Sequence, residues 1–242
     1  MGSSKLDYID FRPHKKTLYF KIATGKEAPA NPKTAVFLTE QASLTDDIDV
    51  LLWLHGHKDP KLEIDDYLML PHFPLRQRLN GSQKGIVLIA PTMGPNSEPG
   101  RLEKNGDDFL DEVFAELGEE EMGGSTPKLG SLVLACHSGG GVAMLKLAQT
   151  LKRRVNACWG YDCLYNTGVA TEWATWAKFH PTARIVVYYL GSTADNSQEL
   201  ERKRLPNVVV RPSKAPEHND VPKFQLGDDL RRAWDLFGPN MP

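Results

Sequence analysis

The stretch that decides the fold of this chain is Leu132-Val-Leu-Ala-Cys-His-Ser138-Gly-Gly-Gly-Val-Ala143, where an apolar run ends in a serine and three glycines. The run predicts a buried strand and the residues after it predict a helix, so Ser138 is expected on a tight strand-to-helix turn. Such a turn strains the backbone of its central residue and needs small residues two positions before and after it, here Cys136 and Gly140. The strain would lift the Ser138 hydroxyl clear of the sheet. The alternative is a glycine-rich loop that only reverses the chain.

This pattern resembles the Gly-x-Ser-x-Gly turn of the α/β-hydrolase superfamily, although Cys136 stands in place of the first glycine. A phosphate-binding loop would instead need Gly-Lys-Ser/Thr at the helix start, where this chain has Val142-Ala-Met144. The resemblance implies an α/β-hydrolase fold and a serine esterase or lipase-like activity, most simply on carboxylic esters. Ser138 would form an acyl-enzyme, and no cofactor or metal is implied. Amide and thioester substrates stay open, because the fold does not determine the substrate.

Short apolar runs alternate with helical patterns along the chain, which predicts a mostly parallel sheet flanked by helices. The first two runs are separated by Gly25 and Pro29-Ala-Asn-Pro32, which predicts an antiparallel hairpin. Little beyond one helix fits between Asp162 and the next run, so no sizeable lid domain is expected. We therefore expect a single α/β-hydrolase domain over 1–242. The eight predicted strands are 17–22, 34–39, 50–54, 85–90, 131–136, 156–161, 184–190 and 207–211, with helical periodicity over 107–117, 142–151, 173–179 and 226–237.

The composition is typical of a globular protein and excludes some partners. Lys and Arg number 29 against 31 Asp and Glu, and the basic residues are scattered among acidic ones. No nucleic-acid or anionic membrane surface is therefore expected, and no apolar run is long enough to span a membrane. The expected partner is a small-molecule or polymeric ester, and the oligomeric state stays open.

Cysteine usage bears on the compartment. The chain has an odd number of cysteines, Cys136, Cys158 and Cys163, and two of them lie in or beside predicted strands. They are expected to be reduced core residues, which favours the cytoplasm. No basic and apolar leader opens the chain. Met1-Gly-Ser-Ser has the composition of a cloning remnant, so residues 1–5 are expected outside the fold, and secretion after removal of a signal peptide stays an open alternative.

A serine nucleophile needs a base to take its proton and a third group to orient that base. In the resembled superfamily the chain order is Ser, acid, His, and only His180 and His218 follow Ser138. His180 directly precedes the strand predicted at 184–190, which places it at the opposite edge of the sheet from Ser138. His218 follows the last predicted strand, in a loop on the same edge as Ser138. We therefore expect His218 to be the general base.

Two carboxylates compete for the role of the acid. Asp195 follows the penultimate predicted strand, which is the commoner position in the superfamily, whereas Asp162 follows the preceding strand, as in some lipases. An ionised carboxylate at an apolar strand end is costly unless it has a partner, and a triad histidine would be that partner. Asp195 has another explanation, since it precedes a possible helix over 198–203 and could cap it. We therefore favour Asp162 and keep Asp195 as the alternative.

The oxyanion hole needs two backbone N–H groups. Gly139, directly after the nucleophile, should supply one. His-Gly after the strand at 50–54 resembles the oxyanion segment of lipases and esterases, so His57 should supply the other, with Lys58 next in line. His137 is expected to be a packing residue and not a base.

Two other functions compete with the serine hydrolase. His55-x-His57-x-Asp59 has the spacing of a zinc hydrolase of the metallo-β-lactamase type, but Pro60 stands where that motif continues with histidine. A non-catalytic binding protein with a hydrolase fold would have lost a triad member. Finally, Pro91-Thr-Met-Gly-Pro-Asn96 and Tyr165 are expected near the entrance of the site, either shaping an acyl pocket or as plain loop residues.

Overall fold

Eight strands form one sheet in the computed structural model, which describes residues 17–26, 33–45, 47–57, 64, 68 and 73–232. The strands are β1 (Thr17–Phe20), β2 (Thr34–Leu38), β3 (Asp47–Leu54), β4 (Ile86–Pro91), β5 (Lys128–His137), β6 (Ala157–Tyr161), β7 (Arg184–Tyr189) and β8 (Val208–Pro212). Their order is β1-β2-β4-β3-β5-β6-β7-β8. β1 and β2 form the predicted antiparallel hairpin, β2 is also antiparallel to β4, and the other neighbouring pairs are parallel. The predicted fold class is confirmed.

Six helices flank the sheet in the described part of the chain: α1 (Leu75–Gly81), α2 (Leu102–Met122), α3 (Gly140–Thr150), α4 (Val169–Phe179), α5 (Ala194–Arg202) and α6 (Val221–Arg232). The four segments with helical periodicity correspond to α2, α3, α4 and α6. The predicted continuation of the last one to 237 lies outside the described residues. The sequence did not predict α1, whose seven residues are too few to show a clear period. None of the described helices is long and apolar enough to cross a membrane.

The inner strands of the sheet are buried on both faces, which is why they appear in the sequence as continuous apolar runs. In β3, Val50 and Leu52 belong to one hydrophobic cluster, and Leu51 and Trp53 belong to the other. The first cluster contains core residues of α2, α3, α4 and α5, whereas the second contains those of α1 and α6. The three cysteines are free and buried, as predicted.

The parallel strands bring their carboxyl ends to one edge of the sheet, where α/β proteins usually bind ligands. Each strand from β3 to β8 is followed at this edge by a residue or loop of the candidate site. These are His55 after β3, the loop 92–100 after β4, Ser138 after β5, Asp162 after β6, Thr193 after β7 and His218 after β8.

A buried carboxylate ties α6 to the sheet. Asp229 Oδ2 accepts a hydrogen bond from the Tyr161 hydroxyl at 2.9 Å, and its Oδ1 accepts one from the Tyr188 hydroxyl at 2.8 Å. Burial outweighs these two bonds and raises the pKa of Asp229 to about 6. The folded protein therefore holds a proton on Asp229 more tightly than the unfolded chain does.

Replacing Asp229 by Asn should remove a pH-dependent cost to stability. The folded-state pKa of Asp229, about 6, exceeds the ordinary value of 3.8. The contribution of Asp229 to the free energy of unfolding is therefore present at pH values below the ordinary pKa, and it is lost as the pH rises through the folded-state pKa. The loss is on the order of 3 kcal/mol. The asparagine does not titrate, so the Tm difference between Asp229→Asn and wild type should shift in the variant's favour between about pH 4 and about pH 7. A difference that stays constant in matched thermal scans would contradict this assignment.

Candidate active site

Ser138 occupies a tight turn between the end of β5 and the start of α3. Its φ is 55°, in the left-handed region that non-glycine residues rarely adopt. The loop after β3 packs directly against it, because a Cβ added to Gly56 would lie 2.7 Å from Ser138 Cβ and 3.3 Å from its Oγ. A Cβ on Gly140 would lie 2.4 Å from the Leu54 carbonyl oxygen. Glycine is therefore required at both positions for α3 and this loop to approach the turn.

Asp162 and His218 form a hydrogen-bonded pair at the same edge of the sheet. His218 Nδ1 lies 2.6 Å from Asp162 Oδ2. The other carboxylate oxygen accepts hydrogen bonds from the Leu190 N–H at 2.9 Å and from the Thr193 hydroxyl. Burial alone would raise the pKa of Asp162, but its three hydrogen-bond donors together hold the pKa below its ordinary value. The ionised carboxylate makes Nδ1 the protonated nitrogen of His218, which leaves Nε2 as the proton acceptor.

Asp195 lies elsewhere, exposed in the first turn of α5. The expectation that it caps a helix over 198–203 is wrong, because the helix begins at Ala194 and the N-cap is Thr193, with no side-chain hydrogen bond at the cap. In the first turn the Asp195 carboxylate interacts favourably with the helix dipole instead. The surface position of Asp195 is thus explained by the helix alone.

His137 holds the backbone of His218. Its Nε2 lies 3.1 Å from the His218 carbonyl oxygen, to which it donates, and the centroids of the two rings are 4.3 Å apart. Burial, followed by the neighbouring His218, lowers the pKa of His137 to about 3, so this ring is neutral at neutral pH. It adds no positive charge beside His218 and, as predicted, serves packing.

His180 lies at the opposite edge of the sheet, exposed after α4, with its Nδ1 2.8 Å from the Trp176 carbonyl oxygen.

Ser138 and His218 are brought to the same edge, but within the described residues no hydrogen bond joins the Ser138 hydroxyl to the His218 ring. Hydrogen bonds of this kind are often long in unliganded enzymes and shorten when substrate binds.

Tyr165 lies beside both Ser138 and His218. Its hydroxyl lies 3.4 Å from His218 Nδ1, and partial burial raises the pKa of its phenol, an effect that the Ser192 and Ser138 hydroxyls partly offset.

The loop after β3 is tied to the loop after β4 through His55. The ring of His55 is buried, its Nδ1 lies 2.6 Å from the Gly56 carbonyl oxygen, and its Nε2 accepts the Met93 N–H at 2.8 Å. Both ring nitrogens are therefore occupied, so His55 has no free lone pair for a zinc ion. Of the remaining motif, Lys58, Asp59 and Pro60 lie outside the described residues. Among the described ones, no group of three His, Cys, Asp or Glu side chains could hold a metal.

The backbone N–H groups of Gly139 and His57 are the two donors predicted for the oxyanion hole. Gly139 is the N-cap of α3, and the ring of the exposed His57 lies against it, since a Cβ added to Gly139 would be 2.5 Å from His57 Cδ2. Neither N–H donates a hydrogen bond to another described residue. Unpaired N–H groups at a helix N-terminus attract negative charge.

Sequence reasoning missed two groups that support Asp162, the Leu190 N–H and the Thr193 hydroxyl. Thr193 follows β7 at the carboxyl edge, and a polar residue in that position was the available signal. The Leu190 N–H could not be found in this way, because a backbone donor has no signature of its own in the sequence.

No protein-family model matches the sequence, and no curated protein matches it either. Solved structures match it in shape. The feruloyl esterase module from Clostridium thermocellum has a TM-score of 0.63 at 10% identity, covering 97% of this chain and 94% of that one. The Staphylococcus aureus fluorophosphonate-binding serine hydrolase F has a TM-score of 0.58 at 11% identity, covering 89% and 96%.

A third similar structure is the S-formylglutathione hydrolase from Agrobacterium tumefaciens, with a TM-score of 0.57 at 10% identity, covering 93% of this chain and 95% of that one. All three similar structures superpose on this chain over nearly their whole length. Their sequence identities are so low that the similarity shows the fold alone. The strand order, the helices on both faces and these matches agree with the fold expected from the sequence. The chain has the α/β-hydrolase fold.

Proposed function

We propose that this protein is a serine hydrolase that cleaves carboxylic esters through an acyl-enzyme on Ser138. The observation that supports this most is the 2.6 Å hydrogen bond between His218 and Asp162 at the sheet edge where the strained Ser138 turn lies. A serine alone is a weak nucleophile, and an oriented histidine beside it is what activates it. The similar structures are a feruloyl esterase module, a serine hydrolase and an S-formylglutathione hydrolase, which supports the same reaction class.

In this mechanism the Ser138 hydroxyl attacks the ester carbonyl carbon while His218 Nε2 takes its proton. Asp162 holds the opposite nitrogen protonated and stabilises the imidazolium that forms. The proton then passes from His218 to the leaving alcohol, and the acyl group stays on the Ser138 oxygen. A water molecule, deprotonated by His218, attacks the acyl carbon, and His218 then returns that proton to the Ser138 oxygen as the acid is released.

The negative charge that develops on the carbonyl oxygen would be stabilised by the N–H groups of Gly139 and His57. Neither group donates a backbone hydrogen bond to another described residue, so no such bond has to be broken when substrate arrives. The exposed ring of Tyr165 lies beside Ser138, and the exposed ring of His57 lies beside Gly139. We propose that the acyl and alcohol groups lie between them.

A zinc-dependent hydrolase is the less favoured alternative, because His55 already uses both of its ring nitrogens within the protein. A non-catalytic binding protein is disfavoured as well. Such a protein would not need to keep a serine, a histidine and a buried aspartate together at one edge.

The proposed function is tested by steady-state turnover of p-nitrophenyl esters of increasing acyl length, together with a matched anilide and a lactone. We expect at least one ester to be hydrolysed much faster than the anilide, and the rate to be unaffected by extensive dialysis against a chelator. Absence of turnover for every ester would contradict the proposal. Loss of activity on chelation would favour the zinc alternative.

A further inference from the structure

Ser97 combines two unfavourable features in the loop between β4 and α2. Its φ is 64°, in the left-handed region, and its side chain is buried, with 2% of the residue exposed. Its Oγ has no hydrogen-bond partner within the described structure. Buried hydroxyls are nearly always paired, and strained non-glycine residues cluster at functional sites. The two features together call for an explanation.

The conformation of this loop is determined by its own hydrogen bonds. The Ser97 N–H donates to the Gly94 carbonyl at 2.9 Å, and the Gly94 N–H donates to the Glu98 carbonyl at 3.0 Å. The Glu98 carboxylate accepts the Asn96 N–H at 2.9 Å. Met93 at the start of the loop is tied to His55. These bonds hold the backbone of Ser97 in its left-handed conformation.

The hydroxyl lies beside Gly139. A Cβ added to Gly139 would be 2.8 Å from Ser97 Oγ and 2.7 Å from His57 Nε2. Ser97 Oγ is thus next to the residue whose N–H faces the proposed oxyanion. The His57 ring shares this space and is exposed, and access of a substrate oxygen to the buried hydroxyl requires this ring to move aside.

We propose that the Ser97 hydroxyl is a third hydrogen-bond donor to the oxyanion, beside the N–H groups of Gly139 and His57. The inference rests on the proposed function of Ser138. A hydroxyl rotates freely and can donate as soon as negative charge develops on the carbonyl oxygen. Because its oxygen has no partner among the described residues, no bond to them has to be broken before it donates.

The test is Ser97→Ala, which removes the hydroxyl and keeps the Cβ. We expect kcat for an ester to fall about 100-fold, as for loss of one oxyanion donor, with KM nearly unchanged. Tm should stay the same or rise, because the variant no longer buries an unpaired hydroxyl. The Ki of a trifluoromethyl ketone, whose adduct with Ser138 carries an oxyanion, should rise by a similar factor.

Ser97→Gly is the matched variant, since it also lacks the hydroxyl but relieves the left-handed backbone. It should lose the same fraction of kcat as Ser97→Ala. Different losses of kcat in the two variants would mean that the backbone geometry of residue 97 matters, and this would overturn the inference. A Ser97→Ala enzyme with kcat within threefold of wild type would overturn it as well. So would a Ser97→Ala enzyme in which only KM has changed. Failure of the proposed function is distinguishable, because wild type would then show no turnover that depends on Ser138.

Discussion

Ser138→Ala should lose ester hydrolysis by roughly three orders of magnitude or more, because removing a catalytic nucleophile leaves only the contributions of binding and the oxyanion hole. The fold should be retained. Alanine is smaller than serine and meets the same left-handed backbone, and the close contact with Gly56 excludes only larger side chains. The measurement is kcat/KM on the best p-nitrophenyl ester, with Tm as the control for folding.

His218→Ala provides the matched comparison. It should behave like Ser138→Ala, and the double variant should be barely worse than either single one, since residues that act as one unit are strongly non-additive. Losses that multiply in the double variant would mean that His218 is not the base for Ser138. Turnover of Ser138→Ala within tenfold of wild type would contradict the serine mechanism.

Asp162→Asn should lower kcat by about 10⁴-fold. The Leu190 N–H and the Thr193 hydroxyl both donate to the same oxygen of Asp162, so in the variant the amide oxygen takes that position. The amide NH₂ then faces His218 Nδ1 and favours the tautomer in which Nδ1 is unprotonated. His218 Nε2 would carry the hydrogen and could not accept the Ser138 proton.

The fold should tolerate this change, because asparagine is one of the few residues that adopt a left-handed backbone readily, and φ at Asp162 is 50°. Asp195→Asn is the matched control at the other candidate carboxylate. It is exposed in the first turn of α5 and should keep most of the activity. If Asp195→Asn is crippled and Asp162→Asn is active, the acid is Asp195 and the burial argument is wrong.

Much of the fold could be predicted because its inner strands are buried on both faces and the edge strands are still mostly apolar. Their continuous apolar runs gave all eight strands, with bounds that differ from the observed ones by a few residues. The antiparallel pairing of β2 with β4 was not predicted, since that pair is set by long-range packing and not by any local pattern. α1 is too short to show periodicity, and the start of α5 at Ala194 depends on the turn after β7.

The residues of the candidate site also fall into two groups, those that the sequence could suggest and those that it could not. Ser138 and Asp162 could be proposed from the sequence because a strand, a tight turn and a costly buried charge each leave a mark there. Leu190 and Ser97 could not, because the positions of a backbone N–H and of a left-handed loop serine are set only when distant loops meet at the sheet edge. The Asp229 network joins residues from two strands and the last helix, and is invisible for the same reason.

The assignment of Ser138 as the nucleophile is tested by the site at which a fluorophosphonate forms its covalent adduct. The protein is incubated with the reagent, its intact mass is measured, and the modified peptide is sequenced by mass spectrometry. We expect one adduct per chain, located on Ser138, and none in Ser138→Ala or in protein unfolded before exposure. An unmodified wild-type protein, or an adduct on another residue, would contradict the assignment of Ser138 as the activated nucleophile.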